Sequence, residues 1–181
     1  MILKTVDERV YLKLIEMKDA EKIFKLTHNS RNYLRKWLPW VDTTTGIEDT
    51  KAFIRACISK YDEDKHMIMM VILYKDDVVG VAGYNQIDWL NKTAYIGYWL
   101  AEECQGFGIM TKVVKALTNY AFTEAELKKV AIRPAENNEK SRAIPERLGF
   151  IEECRVSDAD WIYDHSIDHI VYSITKKSLN N

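Results

Sequence analysis

A chain of 181 residues with 26 basic and 27 acidic side chains has a formal net charge of −1, which leaves no overall basic character for non-specific nucleic-acid binding. At 47% hydrophobic and 29% charged, it has the composition of an ordinary folded protein rather than a disordered or collagen-like one. The length suits one domain over residues 1–181, able to bury roughly 70% of its unfolded surface.

The segment Met1–Val10 carries Lys4, Asp7, Glu8 and Arg9 and lacks the apolar stretch of a signal peptide. No apolar run approaches the ~20 residues that span a bilayer. Val10–Ile15 reads as a first strand. Asp19 is placed to cap a helix with Ile23, Phe24 and Leu26 on its apolar face. Residues 32–38 suggest a second short helix stopped by Pro39. Thr45 to Glu48 has capping-box spacing ahead of Ile47, Ile54, Cys57, Ile58 and Tyr61 at helical intervals.

The pattern then becomes β-rich. Met67–Tyr74 is a continuous apolar run, Lys75-Asp76-Asp77 is turn chemistry, and Val78–Tyr84 and Thr93–Leu100 are further strands, an antiparallel meander by their short connections. A helix follows with Ile109, Val113, Leu117 and Ala121 on one face. Lys129–Ile132 reads as a strand, and Glu139–Leu148 as a helix closed by Gly149. Ile151–Arg155 and His169–Ile174 are the last expected strands. The expected class is mixed α/β (α+β): a central, mostly antiparallel sheet flanked by helices.

The three cysteines, Cys57, Cys104 and Cys154, form no CxxC pair. Neither a zinc ribbon nor a redox motif is expected, and free thiols point to a cytoplasmic protein. Asp164-His165 and Asp168-His169 repeat at a suggestive spacing, but without cysteine partners a structural role is expected and no metal.

Gln105-Gly106-Phe107-Gly108-Ile109-Met110-Thr111 is the most informative stretch. A strand feeds a glycine turn that opens an amphipathic helix, an arrangement that lets backbone N–H groups converge on a phosphate. No Gly-Lys-Ser/Thr follows, so this is not a Walker A loop. Thr111 stands where a dinucleotide fingerprint needs its third glycine. On local pattern alone, a plain strand–turn–helix connection fits as well as a phosphate site.

Resemblance separates the two. Gln105 to Met110 resembles the acyl-CoA pyrophosphate loop of the GNAT N-acetyltransferases, Arg/Gln-x-x-Gly-x-Gly/Ala, with Met110 departing from the usual small residue. Gly-x-Gly-x-Met-Thr is similar to the ribosomal-protein-serine branch of that superfamily. The stretches 32–40 and 96–100, together with 138–150 (Asn138-x-x-Ser141 onward), resemble the same branch in order and spacing, so the likeness runs from about Val10 to Ile174.

The resemblance implies acetyl-CoA as co-substrate. Residues Gln105, Gly106, Phe107, Gly108, Ile109, Met110 and Thr111 would hold its pyrophosphate, the strand edge at Trp99 and Leu100 its pantetheine arm, and Asn138 would contact CoA. Ser141 would protonate the departing thiolate. The tyrosine that many superfamily members carry four positions later is Pro145 here, so no phenol is expected. On its helix alone, Ser141 could equally serve only backbone.

Asp160, in Ala159-Asp160-Trp161, matches the branch's glutamate and would deprotonate the amine, with an arm one methylene shorter. The cluster of Asp158, Asp160 and Asp164 also reads as solvated carboxylates. Tyr33, Trp37 and Trp40 would wall the acceptor groove, or pack the core. Cys104 reads as a small apolar filler.

The expected activity is direct acetyl transfer to a primary amine, foremost the N-terminal amine of a protein, with a ribosomal protein among the candidate acceptors. Polyamine- or aminoglycoside-like amines, or a non-catalytic acyl-CoA-binding module, are the alternatives. A homodimer is implied by resemblance; neither direct nucleic-acid contact nor membrane attachment is expected.

Overall fold

The computed structural model describes residues 1–5 and 7–178. It opens with a short strand, β1 (Ile2–Lys4), absent from the sequence expectations. Among the described residues this strand pairs with β2 (Val10–Leu14) alone, antiparallel, at the border of the sheet. A three-residue edge strand carries too little alternation to mark itself in sequence.

The helical region that follows differs in detail from its expected form. Asp19 does precede α1 (Ala20–Asn29), but its carboxylate accepts from the Glu16 N–H and pairs with Lys13 Nζ at 2.9 Å instead of capping the helix. The single helix expected over 32–38 is replaced by α2 (Arg31–Leu34), a turn, and α3 (Trp40–Thr43). Pro39 occupies the N-cap of α3 with φ −62°, a value suited to a helix start, so it begins one helix rather than only ending another. The Arg31 guanidinium donates to the Val41 and Thr44 carbonyls and fixes α2 against α3.

Before α4 (Ile47–Glu63), the cap lies one residue later than Thr45–Glu48 suggested and only the carboxylate half of a capping box forms. Gly46 is the N-cap, and the Asp49 carboxylate accepts from the N–H groups of Thr45 and Gly46 at 2.9 and 3.0 Å.

Strand β3 (Met69–Tyr74) turns through Lys75 and Asp76, at φ 51° and 68°, into β4 (Asp77–Asp88), the backbone that a tight two-residue hairpin requires. With β5 (Thr93–Leu100), these strands make the expected antiparallel meander. α5 (Ile109–Thr123) buries Ile109, Val113, Leu117 and Ala121 on the sheet; full burial of a large aliphatic side chain contributes about 1.5–3 kcal/mol. Tyr84 Oη donates to the Leu117 carbonyl at 2.6 Å and pins α5 to β4.

The chain continues through β6 (Lys129–Ile132) and α6 (Glu139–Arg147), after which Gly149 has φ 76°. It finishes in a long hairpin of β7 (Ile151–Ile162) and β8 (His165–Thr175). Both strands outrun their expected lengths. Residues 151–161 of β7 are all exposed, so no hydrophobic alternation announces them.

Among the described residues eight strands form one sheet, ordered β1-β2-β3-β4-β5-β6-β8-β7, in which β5 and β6 run parallel. This is the mixed, mostly antiparallel architecture expected from the sequence. Helices α1 and α4 cover one face, and α5 and α6 the other. No helix among the described residues is long and apolar enough to cross a membrane.

Candidate active site

The parallel pair is short, and its shortness shapes the site. β5 meets β6 only where Thr93–Tyr95 run beside Lys129–Ala131, whereas it stays paired with β4 as far as Leu100. From Ile96 to Leu100 one edge of β5 therefore faces no strand among the described residues. Trp99 and Leu100 lie at its far end. An extended ligand can add to such an edge through backbone hydrogen bonds.

Beyond Leu100, a 3-10 turn (Glu102–Cys104) leads into the glycine loop. The turn is anchored by the Glu102 N–H, which donates to Ser30 Oγ at 3.2 Å. Gly106 and Gly108 have φ of 84° and 68°, the left-handed region that glycine enters without penalty. A Cβ built on either would meet no atom within 4 Å.

Among the described residues, no acceptor meets the N–H groups of Gly106, Phe107 or Gly108. The first N–H groups of α5, on Ile109, Met110 and Thr111, lack intrahelical acceptors by construction. The turn and the first turn of the helix thus leave six backbone N–H groups without a backbone acceptor at the positive end of a 15-residue helix, the chemistry that a phosphate group needs. The side chains of Ile109 and Met110 are buried in the core, so only their backbone is available to a phosphate.

Cations surround the cradle. Lys140 Nζ donates to Gln105 Oε1 at 3.0 Å, and Arg147 lies 3.5 Å from Thr111 Oγ1. Lys112, in the first turn of α5, is neutralised by Asp7 at 2.6 Å. Hydrogen bonds from Arg9 and Lys112 hold the Asp7 carboxyl well below the usual carboxylate range. Phe107 is 60% exposed, with its ring stacked on Tyr74. Cys104, half-buried, packs against the main core, and burial raises its thiol pKa.

α6 carries Asn138 as N-cap, its Oδ1 accepting from the Ser141 N–H at 3.2 Å. That bond leaves the Asn138 amide N–H₂ as the group available to a ligand. Ser141 occupies the first turn of α6. Pro145, four residues on, has no N–H, so the Ser141 carbonyl lacks its helical donor.

Tyr98 of β5 meets this gap: its hydroxyl donates to the Ser141 carbonyl at 3.2 Å and also lies 3.1 Å from Ser141 Oγ. A phenol therefore does stand beside Ser141, supplied by a strand rather than by the helix. Burial pushes its pKa up to about 12. The alternation of Ala94, Ile96, Tyr98 and Leu100 toward the α5 face was the available sequence signal. Nothing in the sequence tied that face to α6.

Asp160 is not in a loop. It lies on β7 opposite Ile167, exposed, with its Oδ1 accepting from the Trp161 N–H at 2.9 Å. Ile167 and His169 share a face of β8, so Asp160 and His169 are diagonal neighbours across the hairpin. Burial lowers the His169 pKa, opposed by the Asp160 charge and assisted by Arg133. Among the described hydrogen bonds and ion pairs, none joins Asp160 to Ser141.

The other acids near Asp160 have local partners. The Asp158 carboxylate accepts from Ser166 Oγ, and Asp164 pairs with His165 Nδ1 at 2.9 Å. Among the described residues, no group of three or more His, Cys, Asp or Glu side chains is arranged to hold a metal ion.

The hairpin tip reaches the helical region. Tyr163 Oη donates to the Arg35 carbonyl at 2.9 Å, and the Arg35 guanidinium lies over the Tyr163 ring at 4.9 Å. The three aromatics of this region divide. Trp40 is 39% exposed, with its ring 6.3 Å from that of Trp99 at the free β5 edge. Tyr33 faces Lys140 of α6 at 5.4 Å. Trp37 is half-buried in the turn between α2 and α3.

Residues 9–151 match the family described as acetyltransferase (GNAT) domain. The YdaF protein of Bacillus subtilis is 36% identical over 172 residues, covering 95% of this chain and 94% of its own. Among solved structures, RimL, a ribosomal L7/L12 alpha-N-protein acetyltransferase in complex with coenzyme A, superposes with a TM-score of 0.91. It is 25% identical, with 97% and 98% of the two chains covered.

The microcin C7 self-immunity acetyltransferase MccE, solved with acetyl-CoA and AMP, gives a TM-score of 0.88 at 30% identity, with 94% of each chain covered. The glycine cradle at the head of α5, the parted strands and these likenesses agree: the chain belongs to the GNAT acetyltransferase family and is an acetyl-CoA-dependent N-acetyltransferase.

Proposed function

We propose that this enzyme, acting as a single unit over residues 1–181, acetylates the N-terminal amine of a protein, with a ribosomal protein as the acceptor. The observation that carries this reading is the likeness to RimL over nearly the full length of both chains. Acetyl-CoA would lie with its pyrophosphate on the N–H groups of residues 106–111 and its pantetheine arm along Trp99 and Leu100. Gln105 would border the loop, and the Asn138 amide would bond the arm. Tyr33, Trp37 and Trp40 would wall the acceptor groove.

In this reading Asp160, directly or through a water, takes the proton from the acceptor ammonium, and Ser141 gives its Oγ proton to the departing thiolate. The exposure of Asp160 supports an α-amine as acceptor. An N-terminal amine loses its proton near pH 7.7–8.0, whereas a lysine-like amine holds it to about 10.4. The α-amine therefore asks less of the base than a lysine-like amine does.

The reaction would run in the cytoplasm, where Cys57, Cys104 and Cys154 would remain free thiols. A homodimer is the assembly that the family resemblance implies. The link to a ribosomal protein requires a protein tail and no contact with RNA.

The test is thiol release from acetyl-CoA across a panel of serine- and alanine-starting peptides, polyamines and aminoglycosides. Peptide turnover is expected to dominate, with kcat/KM rising to a plateau through about pH 8 as the acceptor α-amine deprotonates. Preferred turnover of polyamines would overturn the reading.

A further inference from the structure

The phenol beside Ser141 has a single proton and two acceptors to serve. Pro145 creates the first of these by leaving the Ser141 carbonyl without an N–H, and Tyr98 Oη lies 3.2 Å from that carbonyl. The second is Ser141 Oγ at 3.1 Å. While the phenolic proton lies on the carbonyl, Ser141 directs its own hydroxyl proton at Tyr98 Oη. When the phenolic proton turns to Oγ, the serine proton is freed from Tyr98 for another acceptor. The choice between the two is a rotation of one hydroxyl.

We propose that Tyr98 is a positioning residue for Ser141, turning the serine proton toward the departing thiolate and returning a proton to Oγ as the serine gives its own away. This rests on the reading of Ser141 as the proton donor. The step balances as follows. The amine nitrogen forms a bond to the acetyl carbon, and the C–S bond breaks with its electron pair on sulfur. Ser141 Oγ–H passes to sulfur and Tyr98 Oη–H passes to Oγ. The phenolate recovers a proton from water, and the proton lost by the amine leaves through Asp160.

An isolated aliphatic hydroxyl is a poor acid. A neighbouring phenol with a pKa of about 12 stays protonated across the working pH range and stabilises negative charge developing on Oγ. Tyr98 thereby supplies a phenolic proton through Ser141, where the tyrosine four positions after the serine in other superfamily members would give its own to the thiolate directly. The same proline that removes that tyrosine frees the carbonyl that holds Tyr98 in place.

The competing role for Tyr98 is purely structural: it satisfies an orphaned carbonyl and nothing more. Tyr98→Phe keeps the ring and removes the hydroxyl, and Pro145→Ala returns an N–H to the Ser141 carbonyl. Four variants, Tyr98→Phe, Pro145→Ala, their double and Ser141→Ala, would be measured for kcat, KM for acetyl-CoA and Tm. The expected result is a fall in kcat for Tyr98→Phe of about 10-fold or more with KM unchanged. In the double variant, Tm should recover while kcat stays low, because the carbonyl is satisfied and Oγ still lacks its phenol.

Recovery of kcat in the double variant to the level of Pro145→Ala alone would overturn the proposal. So would wild-type kcat in Tyr98→Phe beside a slow Ser141→Ala, which leaves the Ser141 reading intact. Wild-type kcat in Ser141→Ala would overturn the Ser141 reading itself and the Tyr98 proposal with it.

Discussion

Gly108→Val will weaken acetyl-CoA binding by about 10²-fold or more, which corresponds to about 2.7 kcal/mol. Two effects combine. The position has φ 68° at the N-cap of α5, where a β-branched residue incurs a left-handed penalty of roughly 1–2 kcal/mol or turns the loop to escape it. A Cβ there meets no protein atom within 4 Å, so an added side chain projects into the space assigned to the pyrophosphate and deflects the converging N–H groups. Each hydrogen bond lost to a charged phosphate oxygen is worth about 1.5–3 kcal/mol. Isothermal titration with CoA reads the effect directly, and unchanged affinity would remove the loop from the CoA site.

Ser141→Ala and Asp160→Asn are each expected to lower kcat by about 10²- to 10⁴-fold with little change in KM for acetyl-CoA, the range typical for loss of a general acid or base. Their pH profiles should differ. Asp160→Asn removes the group that helps the amine lose its proton, so its deficit should narrow as the pH rises above the α-amine value of about 8; Ser141→Ala should show no such recovery. Asp160→Glu restores the longer arm and is expected to keep or raise turnover. Near-normal turnover in both Ser141→Ala and Asp160→Asn would leave the family intact and the acid–base roles wrong.

The parts of the fold that announced themselves in the sequence are those whose chemistry is local. The Lys75-Asp76 turn, the α5 face of Ile109, Val113, Leu117 and Ala121, and Gly149 behind α6 all follow from neighbouring residues. The Gly106–Gly108 turn was legible for the same reason, down to its positive φ angles, whereas its reading as a phosphate site rests on resemblance. Elements escaped where local pattern was silent. β1 is three residues at an edge, and β7 is exposed along residues 151–161, so neither shows a buried face.

Pro39 was read through its best-known effect, ending a helix, whereas its φ equally suits the start of α3. Tyr98 was missed because its partner lies 43 residues away on another element. The loss of a phenol at position 145 was visible in sequence; its supply from β5 needed the fold. Asp160 was assigned by resemblance, and only the register of β7 against β8 places it beside His169.

The most direct test is to let the purified enzyme act on a serine-starting ribosomal-protein peptide that also contains an internal lysine, with acetyl-CoA as donor, and to locate the product by fragment-ion mass spectrometry. A single acetyl group on the α-amine, formed at steady turnover and lost with Ser141→Ala, is the predicted result. Acetyl on the lysine ε-amine, or no peptide product while a polyamine is turned over, would contradict it.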